Sequence, residues 1–243
     1  MDFTNYKKIY LSNELDWNTP IMRYTSIQSL EQILELKFFV QERNQFDKID
    51  GHENGTYEEK GLGFPFSQIE KLNVTQRKEK EKILEQLWDE ITKSYNTLTS
   101  CWTLSQKEKP VMWIGKEVLI KSTIGKFLLS LDMQNISSTI CGKVHYSEKE
   151  QMKSTIEQFL FLKEGEKYKH EEELRFYIDP DLRNGIDIKR KENNKSALLQ
   201  LNGYTFIDTI VFNPLLSENQ VVLKNNLLAN YPQITKLIKE SNI

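Results

Sequence analysis

The sequence predicts a single α+β domain over residues 1–243, with a curved mixed or antiparallel sheet, flanking helices and a core of about residues 20–230. Three observations predict it. The length of 243 residues is within reach of one elaborated core. Strand and helix signals succeed one another irregularly, without the strict alternation of a doubly wound fold. No internal repeat divides the chain.

The first element is a short strand around Ile21 to Tyr24, followed by an amphipathic helix and a second strand at Phe38 and Phe39. Thr25 and Gln28 have capping-box spacing, and Ile27, Leu30, Ile33 and Leu34 recur on one helical face. Because the helix begins directly after Arg23 and Tyr24, its first-turn N–H groups are a candidate anion site, beside the plainer reading of a capped helix packed on the sheet. Residues 42–66 are polar and rich in glycine, the pattern of a long loop of the kind that serves as a lid or a partner-binding segment or is simply mobile. Val74 to Tyr95 is a charged helix with an apolar stripe at Ile83, Leu84, Leu87, Trp88 and Ile91.

Strand patterns then fall at Leu98 to Leu104, Val118 to Ile124, Lys143 to Tyr146, Glu171 to Ile178 and Thr205 to Phe212. Helical signals lie at Gly125 to Asp132, Glu148 to Phe161 and Val221 to Ala229, the last behind a capping box of Ser217 and Gln220. The polar stretch Arg190 to Lys195 reads as a loop.

Composition narrows the function classes. Thirty-three basic against thirty-five acidic residues give a net charge of -2, which supplies no global field for nucleic acid or an anionic membrane. Two cysteines, Cys101 and Cys141, lack partners at metal-site or redox spacing, and three separated histidines disfavour a zinc site or a serine triad. With no apolar run of membrane-spanning length and no leader-like start, a cytoplasmic protein with no membrane partner is expected.

The most informative segment is Glu171 to Ile178. Strand alternation puts Leu174, Phe176 and Ile178 on one face and Glu171, Glu173, Arg175 and Tyr177 on the other. Two carboxylates about 7 Å apart on one face add little to a purely structural strand, unless Arg175 neutralises both. Ser122 and Thr123, where a strand meets a helix, read as caps, and Trp102 and Trp113 as core aromatics.

Taken in order, Arg23-Tyr-Thr-Ser, Ser100-Cys-Trp-Thr, Val111-Met-Trp, Ile120-Lys-Ser-Thr-Ile-Gly, Gly142-Lys-Val-His-Tyr, Phe161-Leu-Lys and Glu171-Glu-Glu-Leu-Arg resemble a bacterial family catalogued as domain-of-unknown-function 2971. The same landmarks are similar in order to ADP-ribosyltransferases of the Arg-Ser-Glu type: Arg23, then Ser122-Thr123, then Glu171-x-Glu173. The resemblance implies an ADP-ribosyltransferase-like fold and NAD as substrate. Arg23 would hold the NAD diphosphate, Ser122 would orient the catalytic acid, and Glu173 would bond the nicotinamide ribose. Tyr24, Thr25, Thr123, Trp113 and Arg175 would complete the NAD site. Cleaving the nicotinamide–ribose bond builds oxocarbenium-like charge, which a fixed carboxylate stabilises, while Glu171 faces the incoming nucleophile. The acceptor would be a protein or nucleic acid, in a toxin or phage-defence effector with a possible cognate antitoxin or defence partner. On this reading Glu173→Gln abolishes activity with little loss of stability.

Two other readings stand beside it. One is a non-catalytic module that binds protein or nucleic acid through the 42–66 loop and the basic residues Lys189, Arg190 and Lys191. The other is a metal-dependent nuclease using Glu171, Glu173 and Asp208, with Lys163 near the phosphate.

Overall fold

The computed structural model describes residues 9–12, 15–42, 98–131, 136–147, 161–164, 166–180 and 196–243. The 43–66 part of the expected loop, the Val74 to Tyr95 helix, nearly all of the Glu148 to Phe161 helix and the basic residues 189–191 lie outside the described residues.

The described strands are β1 (Ile9–Leu11), β2 (Pro20–Thr25), β3 (Lys37–Glu42), β4 (Leu98–Thr103), β5 (Val118–Thr123), β6 (Ile136–Lys143), β7 (His145–Ser147), β8 (Leu162–Glu164), β9 (Glu173–Pro180), β10 (Ser196–Gln200), β11 (Thr209–Phe212) and β12 (Ile238–Lys239). The helices are α1 (Ile27–Leu34), α2 (Ile124–Ser130) and α3 (Glu218–Asn230). Ten strands form one mixed sheet in the order β1-β6-β9-β4-β2-β5-β11-β12, with β3 joined to β4 and β10 to β3. Among its described pairings, β1–β6 and β11–β12 are parallel and the others antiparallel. β7 and β8 form a separate parallel pair. The α+β class and the mixed, mostly antiparallel sheet agree with the sequence expectation. No described helix is long and apolar enough to cross a membrane.

The sheet divides at β4. β2 meets it in register at Met22 opposite Thr103, whereas β3 meets its other end, at Thr99 and Leu98. One edge of β4 therefore serves two branches, and a fork opens between them. Arg23 stands at this fork, one residue beyond the last register pair.

The core fills one face of the sheet. Ile27, Leu30, Ile33 and Leu34 of α1 are all buried, as the helical spacing predicts. Phe127 of α2 lies 4.8 Å from both Trp102 and Phe176 by ring centroid, and 4.9 Å from Phe38. Each such ring contributes on the order of 1.5–3 kcal/mol by leaving water. A smaller apolar cluster, Met22, Trp113, Leu119 and Val211 with Tyr24 against it, covers part of the opposite face.

Several boundaries move, among them the strand expected over Thr205 to Phe212, which begins at Thr209. Helix α1 is capped by Ser26, whose Oγ accepts the Ser29 N–H at 3.0 Å, and not by Thr25, because β2 stays extended through Thr25. Lys143 to Tyr146 divides into the end of β6 and the start of β7. β9 starts at Glu173 rather than Glu171, after a 3-10 turn over Glu166–Glu171 and a left-handed Glu172 with φ of 44°. The capping box at Ser217 forms as expected, with the Ser217 N–H donating to Gln220 Oε1 at 2.8 Å.

Candidate functional site

Two polar constellations, one holding Glu171, Glu173 and Arg175 and the other Arg23, occupy opposite faces of the sheet. In an antiparallel pair, residues in register share a face and successive residues alternate. Glu173 is in register with Thr103, Thr103 with Met22, and Met22 with Lys121. The next row runs through Leu174 opposite Trp102, and through Arg23 opposite Ile120, which is itself opposite Ile210. That row points into the main core, where Leu174, Trp102, Ile120 and Ile210 are all buried. Glu173 and Met22 point away from it.

Glu173 is 5% exposed and Arg175 2%. Arg175 donates to Glu173 through Nε at 2.6 Å and Nη2 at 3.2 Å, and Lys163 Nζ donates to Glu173 Oε2 at 3.3 Å and to Glu171 Oε2 at 2.8 Å. Among the described residues these four groups balance, two carboxylates against two cations. Lys163 also lies over the Tyr168 ring, 4.4 Å from its centroid. The backbone is tied in as well: the Glu173 N–H donates to Tyr146 Oη at 3.0 Å, and the Val144 N–H to the Glu173 carbonyl at 2.8 Å.

Burial alone would raise the Glu173 carboxyl, but Arg175 and Lys163 outweigh it and hold it below the usual carboxylate range. Burial works against the charge on Lys163 too, and Glu173 and Glu171 overcome it, so its ammonium is held above the ordinary lysine range. The Cys101 thiol beside them is pushed well up by burial and by Glu173, and so stays protonated. Glu173 is thus ionised and already engaged on both oxygens. A carboxylate in this state is the centre of a structural ion-pair network.

The Arg175 partnership expected on the plainer reading is therefore present, with a difference. Arg175 bonds Glu173, and it is Lys163 that joins the two acids. Glu171 is not on the strand at all; the left-handed turn at Glu172 breaks the alternation, and Lys163 reaches Glu171 from β8. Nothing in the local sequence around Glu171 signals this bridge, because it is formed across strand, turn and strand.

On the other face, Arg23 is partly buried. Its Nη1 donates to Ser100 Oγ at 2.7 Å and, at 3.5 Å, to the Cys101 carbonyl; its guanidinium lies 4.9 Å from the Phe38 centroid and 5.9 Å from that of Trp102. Ser100 Oγ also accepts the Trp102 Nε1–H at 3.0 Å. Desolvation pulls the Arg23 guanidinium below its ordinary range. Among the described residues no carboxylate pairs with it.

The expected Arg-Ser-Glu convergence is corrected by this arrangement. Arg23 and Glu173 project from opposite faces of the sheet, with β4 between the strands that carry them, rather than side by side on one face. Ser122 does not reach Glu173 either; it is buried on β5 and its hydroxyl donates to the Phe206 carbonyl at 2.7 Å. Thr123 caps α2, accepting the Lys126 N–H at 3.3 Å. Tyr24 turns to the Glu173 side of the sheet, where its Oη accepts the Lys109 N–H at 3.2 Å and its ring meets Trp113 edge-on at 5.0 Å. Trp113 is buried in the smaller apolar cluster, with Tyr24 half-buried against it. Thr25 is buried at the end of β2.

The anion site expected at the start of α1 is filled from within. Glu117 Oε2 accepts the Ile27 N–H at 2.8 Å, while its Oε1 accepts from Gln220 Nε2 of α3 at 2.9 Å. The nuclease arrangement does not assemble, since Asp208 is ion-paired to Lys126 by β11, which stands apart from β9 in the sheet, with β4, β2 and β5 between them. Among the described residues, no group of three or more His, Cys, Asp or Glu is placed to hold a metal ion.

Fold and sites together define the chain as a mixed α+β domain with a forked sheet, carrying one saturated ion-pair network and, at Arg23, a cation with no counter-charge among the described residues. No protein-family model matches the chain, and no curated protein or solved structure matches it.

Proposed function

We propose that this chain is a binding domain for a phosphate-bearing small molecule of the NAD class, held at Arg23, and that the Glu173 network is architectural. One observation carries the reading: a partly buried guanidinium whose partners are a hydroxyl, a carbonyl and two aromatic rings. Buried arginines are ordinarily paired with an anion, because an uncompensated charge in a low-dielectric site costs several kcal/mol on the order-of-magnitude scale. A diphosphate entering the fork between β2 and β4 supplies that anion through charge-assisted hydrogen bonds. Phe38 and Trp102 are almost fully buried, so they shape the site from behind and offer the ligand no stacking face.

Transfer of ADP-ribose to a protein or nucleic acid would need a carboxylate on the same face as Arg23, which the Glu173 position does not provide. The proposed role is therefore recognition without group transfer.

The test is calorimetric titration of NAD, ADP-ribose and inorganic phosphate into the wild type and Arg23→Met, with nicotinamide release followed in parallel. Saturable NAD binding that weakens about tenfold or more in Arg23→Met, a loss of about 1.4 kcal/mol, is expected, without nicotinamide release. Absence of binding to the wild type removes the proposal. Nicotinamide release by the wild type would restore the transferase reading.

A further inference from the structure

Glu108 lies beyond β4 in the loop that leads to the 3-10 turn Pro110–Trp113. Its side chain is only 1% exposed, and four donors converge on it. Ser241 Oγ donates at 2.7 Å, Asn242 Nδ2 at 3.2 Å, the Asn242 backbone N–H at 3.4 Å and Lys121 Nζ at 3.5 Å. Three of the four come from the segment after β12, which is itself a two-residue strand paired with β11.

The neighbour of Glu108 is equally connected. Lys109 donates its N–H to Tyr24 Oη, and its Nζ to Glu172 Oε1 at 2.8 Å and to the His170 carbonyl at 2.6 Å. Glu172 in turn accepts the Leu104 N–H on its carbonyl at 2.9 Å, extending the β4–β9 pairing into the turn. A continuous set of contacts thus runs from residues 241–242 through Glu108 and Lys109 to the left-handed turn that starts β9.

We propose that residues 240–243 form a releasable strap latched on Glu108, and that the latched strap sets the order of the 104–112 loop and, through Lys109, of the Glu172 turn. The physical reason is the state of Glu108 when the strap leaves. A carboxylate sealed from water needs its donors, and without Ser241 and Asn242 only Lys121, at the long limit of hydrogen bonding, remains of the four. The side chain then swings to solvent and carries its loop with it. A two-residue strand adds little resistance of its own, so strap and loop open as one low-stability unit beneath the global unfolding transition.

The test is hydrogen exchange by mass spectrometry on the full chain, comparing wild type, Glu108→Gln and the double variant Ser241→Ala/Asn242→Ala. Amides of 238–242, of 107–112 and of Leu104 are expected to lose protection together, by about tenfold or more, while those of β2 and β5 stay unchanged. Loosening of 238–242 with no change at 107–112 overturns the coupling. A wild type whose residues 238–242 show no protection overturns the latch. If Glu108→Gln does not fold, the double variant, which leaves the buried carboxylate in place, decides by the same criteria.

Discussion

Glu173→Gln separates the architectural from the catalytic view of this carboxylate. The substitution keeps the shape and removes the charge. It leaves Arg175, 2% exposed, facing an amide that offers one acceptor in place of two charged oxygens. Removing one member of a buried pair destabilises by about 3–5 kcal/mol. Lys163 keeps Glu171 as a partner, which places the expected loss at the lower end, about 3 kcal/mol. For a chain of this size each kcal/mol corresponds to roughly 2–4 °C, so Tm should fall by about 6–12 °C. Urea unfolding followed by tryptophan fluorescence should show a lower midpoint at unchanged slope. The sequence alone led to the opposite expectation, a stability-neutral change at a cleft-facing acid. A Tm within about 1 °C of wild type, on the scale where surface changes fall, refutes the network view.

Three further outcomes rest on the same contacts and on the packing around them. Because Glu173 titrates below its ordinary 4.5 in the fold, its contribution is present above that pH and is lost as pH falls through the lower folded value; chemical denaturation against pH should show a steeper acid decline for wild type than for Glu173→Gln. Ser122→Ala strands the buried Phe206 carbonyl and should cost about 1–3 kcal/mol in a denaturant titration, with no change in NAD affinity if the hydroxyl is structural. Gly142→Ala puts a methyl 2.1 Å from the Phe161 ring, in a packed contact, and should lower stability by about 1–3 kcal/mol, read as a drop in Tm.

Local periodicity made part of the fold legible in the sequence. The buried face of α1 is the set Ile27, Leu30, Ile33 and Leu34, because a 3.6-residue repeat is a property of the chain itself. The capping box at Ser217 and the cap at Thr123 were legible because a cap, too, is written in residues a few positions apart. The facing of Arg23 was not. Its row is set by registers to β4 and β5, strands far along the chain, and a change of one residue in register transfers a side chain to the other face. Glu117 was likewise silent, since the helix N-terminus it fills lies 90 residues away. Short strands such as β1 and β12 carry too few residues to show a period, and they exist through their pairing with β6 and β11.

The fork at β4 has a consequence for synthesis on the ribosome. β4 binds β2 by one register pair and β3 by two, whereas its long partner is β9, through six pairs from Leu98 opposite Ile178 to Thr103 opposite Glu173. About 75 residues separate the end of β4 from its completed partner, which at roughly 5–20 residues per second delays closure by about 4–15 s. During that interval Trp102 and the neighbouring apolar side chains stand on a strand with an open edge, the kind of template that recruits other chains. The nascent polypeptide is therefore most in need of a holding chaperone between the emergence of Thr103 and that of Pro180, and least once β9 has docked.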